Sequence, residues 1–255
     1  MDVRVDGLVA LVTGASRGIG EATAAELLAG GAKGVVITSR KEETISEAAA
    51  RLGDDRVVPI VAKADDPEGA AAAVAAAIDT FGACDILVNN AGTNPAAGAL
   101  VDVDLGAASK TWAVNQMGPL LYAREAYRAH MREHGGRIVN VASVGGIRPG
   151  ALIGAYNISK AALIHLTRQL AMEMAPGVRV NAVAPSVVRT RLAAALWENI
   201  ESEVAATHPL GRIGEPGDVA RAIMFLVSDA SSWITGVTLP VDGGVTGATP
   251  ATSLH

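Results

Sequence analysis

Tyr156 and Lys160 stand four residues apart in "YNISK", at the start of a segment whose pattern predicts a helix from Tyr156 to about Ala175. Residues four apart on a helix share one face, one turn above the other, so an ammonium would sit beside a phenol. A unit charge about 4 Å away at an effective dielectric of about 20 is worth roughly 4 kcal/mol, or about three pKa units. That would bring a phenol from about 10 to near 7, where a general acid–base works best. Two more polar residues stand where they could join them. Ser143 ends the predicted strand "GRIVNVAS" (136–143), and Asn115 lies in "WAVNQMGPL" within a long helical region, 105–134.

A second cluster reads as an anion site. "TGASRGIG" (13–20) follows a predicted strand, "LVALVTG" (8–14), and opens a helix (19–31). Gly14 suits the tight turn, Gly18 lets backbone approach a pyrophosphate, and Gly20 lets helix pack against strand, with free helix N–H groups facing the anion. The spacing is G-x-x-x-G-x-G, not the commoner G-x-G-x-x-G of dinucleotide sites. At the end of the second strand (34–40) an NAD site wants a carboxylate, and this chain has Thr38, Ser39 and Arg40, with Arg17 inside the glycine turn. Two guanidiniums and a hydroxyl suit a 2′-phosphate, so NADP(H) is expected ahead of NAD(H).

The elements that must position these residues alternate as βα units. Further strands are predicted at 56–62, 85–92, 178–185 and in "VTLPVDGG", with helices through 43–53, 67–82 and 217–229. The expected fold is an α/β, Rossmann-like, doubly wound parallel sheet of about seven strands with helices on both faces. One dinucleotide-binding and catalytic domain is expected over 1–247, with a loose tail at 248–255.

Composition narrows the rest. Half the residues are hydrophobic but only 3% aromatic, which suits Ala-rich helices on a buried parallel sheet. A net charge of −5 argues against a nucleic-acid partner. No apolar run spans a bilayer and the charged N-terminus is not a signal peptide, so a cytoplasmic protein without a membrane partner is expected. The single cysteine, Cys84, reads as a buried core residue in a reducing compartment. His130 and His134 have metal-ligand spacing but no third ligand nearby in sequence, so no metal is expected. Asp65 and Asp66 read as a charge pair at a helix N-terminus.

The glycine motif, "LVNNAG", Asn115, Ser143 and Y-x-x-x-K, in this order, resemble the short-chain dehydrogenase/reductase family over residues 7 to 244. The resemblance implies Tyr156 as general acid–base at a substrate oxygen and Ser143 holding that oxygen. Lys160 would lower the phenol's pKa and grip the nicotinamide ribose, and Asn115 would anchor a water leading to solvent. It also implies a cofactor cradle of Gly14, Ser16, Arg17, Gly18, Ile19, Gly20, Ser39, Arg40 and Asn90. Val188 and Thr190, in "PSVVRT", complete it. The substrate would be a small carbonyl or alcohol, and the assembly a homotetramer or homodimer through the helices at 105–134 and from Tyr156.

Some residues depart from the family pattern. Ser186 stands where glycine is usual, which would tighten the turn without removing chemistry, and Ala142 stands where a second serine is common. Lys63 replaces an acid that meets the adenine, so that either Asp65 or backbone near Ala64 serves the adenine, or Lys63 reaches the 2′-phosphate. A substrate lid falls at 186–217, where Leu192, Leu196, Trp197 and Leu210 are candidates to line an apolar pocket or simply to pack together. Arg148, Arg189 and Arg191 are candidates for a basic patch that an acidic carrier protein would need. The look is closest to NADPH-dependent carbonyl and retinoid reductases. A 3-oxoacyl-thioester reductase and an NAD-dependent alcohol or steroid dehydrogenase are the alternatives.

Overall fold

The computed structural model describes residues 3–247, so the expected tail at 248–255 lies outside the described residues. The first half alternates β1 (Val9–Val12), α1 (Gly18–Ala29), β2 (Gly34–Ser39), α2 (Glu42–Leu52), β3 (Val57–Val61), α3 (Pro67–Phe81) and β4 (Ile86–Asn89). A long helical rod comes next, made of α4 (Leu105–Trp112), α5 (Gly118–Ala126) and a last turn, α6 (Arg132–His134). The chain then runs through β5 (Gly136–Val141), α7 (Gly154–Glu173), β6 (Val178–Pro185), α8 (Glu201–Ala206), α9 (Pro216–Val227) and β7 (Thr238–Val241).

The seven strands pair in parallel in the order β3-β2-β1-β4-β5-β6-β7. The order reverses between β1 and β4, which opens a crevice at the carboxyl ends of the strands. Period-2 alternation sends Ala10, Val12, Ile37, Val88 and Val139 to one face, against Leu27, Ile45, Val219 and Ile223. Val9, Leu11, Val36, Leu87 and Ile138 go to the other, against Ala70, Ala73, Val74, Ala77 and Tyr122. Burial on both faces is why these strands read as continuous Val/Ile/Leu runs. Small alanines on α3 let that helix lie close to the sheet, which is how a chain with so few aromatic residues still closes its core. Pro59 and Pro240, which have no N–H to give a ladder, fall in the two edge strands β3 and β7.

Helix ends obey local chemistry. Asp66 caps α3 by accepting from Glu68 N–H at 3.2 Å, with Pro67 in the first turn. Gly53 and Gly82 close α2 and α3 at φ of 58° and 86°, a left-handed conformation that glycine takes without strain.

Three strands are shorter than their apolar runs predict. β1 stops at Val12, β4 at Asn89 and β5 at Val141. Beyond β1 and β4 a side chain replaces the ladder: Thr13 Oγ1 accepts from the N–H groups of both Asn90 and Ala91, each at 3.1 Å. The region 105–134 is not one uniform helix either, because π-turns at Ala113–Met117 and Tyr127–Met131 interrupt it. Each wider turn takes one extra residue and rotates the next stretch of helix by about 100° about the axis. Asn115 sits in the first of them and is fully buried.

Candidate active site

The glycine turn joins β1 to α1 with Gly14 at φ 64° and Gly18 at φ 60°. A Cβ on Gly14 would lie 2.8 Å from Ala91 Cα, and one on Gly20 would lie 2.5 Å from Asn90 Nδ2 and 2.7 Å from Gly14 O. These two positions therefore admit no side chain. At Gly18 a Cβ would come within 3.2 Å of Thr190 Cγ2, which places Thr190 directly over the turn. Arg17, at the N-cap of α1, is extended and caps nothing with its side chain, so the first N–H groups of α1 lack a side-chain acceptor from it. Ser16 and Ile19 flank the turn, half-buried, and Arg51 of α2 braces it by donating to Ser16 O at 2.9 Å. Arg17 and Arg40 are exposed and neither side chain is held by another described residue.

Two residues expected to contact a cofactor are occupied otherwise. Ser39 is buried and its hydroxyl serves the start of α2, donating to Lys41 O at 3.1 Å and lying 3.2 Å from Thr44 Oγ1. The Asn90 amide donates to Thr13 O at 2.9 Å and Gly14 O at 3.0 Å, so it holds the glycine turn in shape from below. Lys63 is exposed and Ala64 half-buried. Asp65 does not act at a helix N-terminus, because its carboxylate pairs with Lys110 while Asp66 alone caps α3.

At the crevice's other side, β5 ends beside α7. Ser143 caps a single 3-10 turn, Val144–Gly146, its Oγ accepting from Gly145 N–H at 3.1 Å. The Ser143 hydroxyl lies near enough to the Tyr156 phenol to lower its pKa. Lys160 is buried, donates to Val141 O at 2.7 Å, and holds its ammonium 5.6 Å from the centre of the Tyr156 ring. Gly92 brings the β4 loop against both neighbours: a Cβ there would be 3.7 Å from Lys160 Nζ and 3.7 Å from Asn115 Oδ1. Ser143, Tyr156, Lys160 and Asn115 thus meet in one place.

The electrostatics depart from expectation. Burial pushes the Tyr156 phenol above its ordinary value, and the Ser143 hydrogen bond pulls it down by less. Burial also pulls the Lys160 amine down to about 8. The expected fall of the phenol towards 7 assumed an ammonium about 4 Å away and left out desolvation, which disfavours both charged forms here. An amine near 8 is still mostly protonated at neutral pH.

Both amide hydrogens of Asn115 are engaged, and its Oδ1 uses one of its two lone pairs. Its Oδ1 accepts from Thr93 N–H at 2.9 Å, and its Nδ2 donates to Thr93 O and to Ser159 Oγ, each at 3.0 Å. Ser159 passes the connection on, donating to Tyr156 O at 2.6 Å. Thr93 and Ser159 were not singled out from the sequence. Ser159 could have been, since it stands inside "YNISK" three residues after Tyr156, on the same helical face.

The segment 186–217 is tied down by residues read differently from sequence. Ser186 does more than tighten a turn, since its hydroxyl lies 2.9 Å from Nε2 of buried His208. His208 Nδ1 lies 2.8 Å from Val204 O, which requires the proton on Nδ1. Arg189 belongs to no open basic patch: it forms a bidentate pair with Glu201, bonds Glu215 at 2.8 Å and covers the Trp197 ring at 5.2 Å. Arg148 and Arg191 are exposed. Leu192, Leu196 and Leu210 are exposed as well, and Val188 is buried in a bridge to Gly214.

His130 bonds Asp85 at 3.1 Å and stacks on His134 with ring centres 4.4 Å apart. Among the described residues no three His, Cys, Asp or Glu side chains gather as a metal site would require. Cys84 is fully buried and its thiol is pushed up to about 12.

A parallel sheet with a glycine turn at its switch point and a Ser–Tyr–Lys group across the crevice is the frame of a nicotinamide-dependent oxidoreductase. The family model described as enoyl-(acyl carrier protein) reductase matches residues 14–246. Dehydrogenase/reductase SDR family member 4 of Pongo abelii is 39% identical over 244 residues, 92% of this chain and 86% of that protein. Cis-4-hydroxycyclohexanecarboxylate dehydrogenase of Sinomonas cyclohexanicum is 39% identical over 242 residues, 93% and 96% of the two chains. A short-chain type dehydrogenase/reductase from Mycobacterium marinum superposes with a TM-score of 0.91 at 32% identity, covering 97% of this chain and 98% of that one. The chain belongs to the short-chain dehydrogenase/reductase family, oxidoreductases that act on alcohol and carbonyl groups with a nicotinamide cofactor. Among the described residues no helix is long and apolar enough to cross a membrane.

Proposed function

We propose that this chain is an NADP(H)-dependent reductase of ketones or aldehydes, running reversibly as an alcohol dehydrogenase. The observation that carries the reading is the convergence of Ser143, Tyr156 and Lys160 beside the crevice of the glycine turn. The residues present fit a dinucleotide: a turn with no room for side chains at Gly14 and Gly20, an uncapped helix N-terminus, and Thr190 above it. A bound nicotinamide supplies the hydride. Tyr156, a neutral phenol at working pH, gives its proton to the substrate oxygen, and the Ser143 hydroxyl holds that oxygen. Lys160 restores charge balance as the phenolate forms, its ammonium lying against the ring. Asn115 positions the turn of α7 that carries Tyr156 through Ser159.

Arg17 and Arg40, exposed and not held by other side chains, support the 2′-phosphate form. Arg40→Ala is expected to raise the KM for NADPH at least about tenfold, by loss of a charge-assisted contact, and to leave that for NADH within about twofold. An unchanged NADPH KM would place the discrimination elsewhere.

Leu100, packed against Gly154, and Leu152 are exposed beside the start of α7, and the proposed lid adds Leu192, Leu196 and Leu210. These support an apolar substrate, and one relative is named for a ring-borne secondary alcohol. A carrier-protein thioester is less well supported because Arg189 is neutralised by Glu201 and Glu215. Exposed Ile158 and Met172 on α7, with Leu105 and Met117 on the rod, support a homodimer or homotetramer across those helices, in a cytoplasmic setting that leaves Cys84 reduced.

The direct test monitors NADPH and, separately, NADH at 340 nm against a cyclohexanone carboxylate, an aromatic α-diketone, retinal, a steroid ketone and an acetoacetyl thioester. Turnover with NADPH on the ketones or retinal supports the reading. Turnover on the thioester alone would favour a 3-oxoacyl reductase, and a preference for NADH would overturn the cofactor assignment.

A further inference from the structure

Asn157 comes directly after Tyr156 in α7 and is 7% exposed, yet the proton transfer and hydride chemistry make no use of it. Its Nδ2 donates to Gly150 O at 3.2 Å. Its Oδ1 is buried and accepts from no N–H or O–H, an arrangement that ordinarily destabilises a fold. That oxygen is aimed at Gly145: a Cβ built there would lie 2.1 Å from it and 3.0 Å from Cγ. The α-hydrogen of Gly145 therefore points at the Asn157 oxygen as a C–H···O contact, and any side chain there would have to displace the Asn157 amide. Gly145 is also the residue whose N–H donates to Ser143 Oγ, and the Ser143 hydroxyl lies beside the Tyr156 phenol. Asn157 thus reaches the Ser143 hydroxyl through one intermediate, Gly145.

The far end of the same turn is strained. Leu152 has φ of 65°, in the left-handed region that glycine favours, and its carbonyl accepts from Gly98 N–H at 2.9 Å. Such a conformation persists where its neighbours over-determine it. Here Gly98 holds the turn from the β4 side and Asn157 holds it from α7.

We propose that Asn157 is a positioning residue whose amide clamps the 144–153 turn at Gly145 and Gly150 and so fixes the Ser143 hydroxyl against Tyr156. The inference rests on the reading of Ser143 and Tyr156 as the groups that meet the substrate oxygen.

The test compares Asn157→Ala, Gly145→Ala and the double variant, with Tyr156→Phe as reference, using NADPH and whichever carbonyl substrate of the panel is turned over fastest. Misplacing a reacting group lowers kcat, so each single variant is expected to lose at least about tenfold in kcat, with the KM for NADPH within about twofold. The two act on one contact, so the double variant is expected to fall less than about twofold below the worse single one. Amide hydrogen exchange across 144–153 is expected to quicken at least about tenfold in Asn157→Ala, with the sheet unaffected. A normal kcat in Asn157→Ala, losses that multiply in the double variant, or unchanged exchange would each overturn the proposal. Should Asn157→Ala fail to fold, Gly145→Ala decides, because full kcat there would show that the contact does not matter. Turnover retained in Tyr156→Phe would overturn the reading of the site and this inference together. A silent Tyr156→Phe beside a normal Asn157→Ala overturns the inference alone.

Discussion

Tyr156→Phe is expected to lower kcat for carbonyl reduction by about a thousandfold or more, within the range that a positioned general acid contributes. The substitution removes one oxygen and leaves the ring in place. Ser143 Oγ keeps its bond from Gly145 N–H, and Lys160 keeps its bond to Val141 O. The affinity for NADPH, measured by fluorescence titration, is therefore expected to stay within about twofold, because no contact of the glycine turn is altered. The pH dependence carries the same information. Burial holds the phenol above its ordinary value, so the wild-type reduction should hold through neutral pH and fall only at alkaline pH, where the proton donor is lost. A phenylalanine variant with comparable turnover would sink the mechanism.

Lys160→Met is expected to abolish turnover and yet make the protein more stable at neutral pH. Burial brings this amine to about 8 in the folded protein, against about 10.4 in an unfolded chain. Below pH 8 both states are protonated, and the folded state bears the whole desolvation penalty, about 3 kcal/mol. Between pH 8 and about 10.4 the unfolded chain binds more protons than the folded one, so wild-type stability rises with pH as the penalty fades. Methionine has no charge to desolvate, but Val141 O loses a donor at 2.7 Å, which returns about 1 kcal/mol. The net gain at pH 7 is about 2 kcal/mol, a shift of several degrees in Tm. Denaturant titrations of both proteins from pH 7 to 10 should show the variant's advantage shrinking across that window. A constant difference, or a variant less stable at pH 7, would show that Lys160 carries no such penalty.

What the sequence made readable depends on how far apart the partners lie. Tyr156 with Lys160, and the glycines at 14, 18 and 20, work within one element or one turn, and spacing reveals them. The seven-stranded doubly wound sheet was legible from the succession of βα units, while the strand order appears only in the structure. Contacts between distant segments were another matter. Asp65 with Lys110, Ser186 with His208, and Arg189 with Glu201 and Glu215 each pair residues on different elements. Periodicity states which side of an element a residue faces, not what faces it. The π-turn at Asn115 has no residue signature, so its effect on the amide was out of reach. The Lys160 charge beside the phenol follows from spacing within one helix, whereas the burial that opposes it depends on how distant elements pack around both groups.

Thr13 has a consequence for how the crevice works. Where the sheet order reverses, the connections from β1 and β4 must part just beyond the last ladder bond, Thr13 N–H to Val88 O at 3.0 Å. One oxygen spans them, taking the N–H groups of Asn90 and Ala91, while the Asn90 amide reaches back to Thr13 O and Gly14 O. That oxygen works as a gauge block, holding the crevice at one width in the folded chain. A dinucleotide would then enter a slot already cut to size, and its affinity would not be diminished by the ordering of the slot's walls.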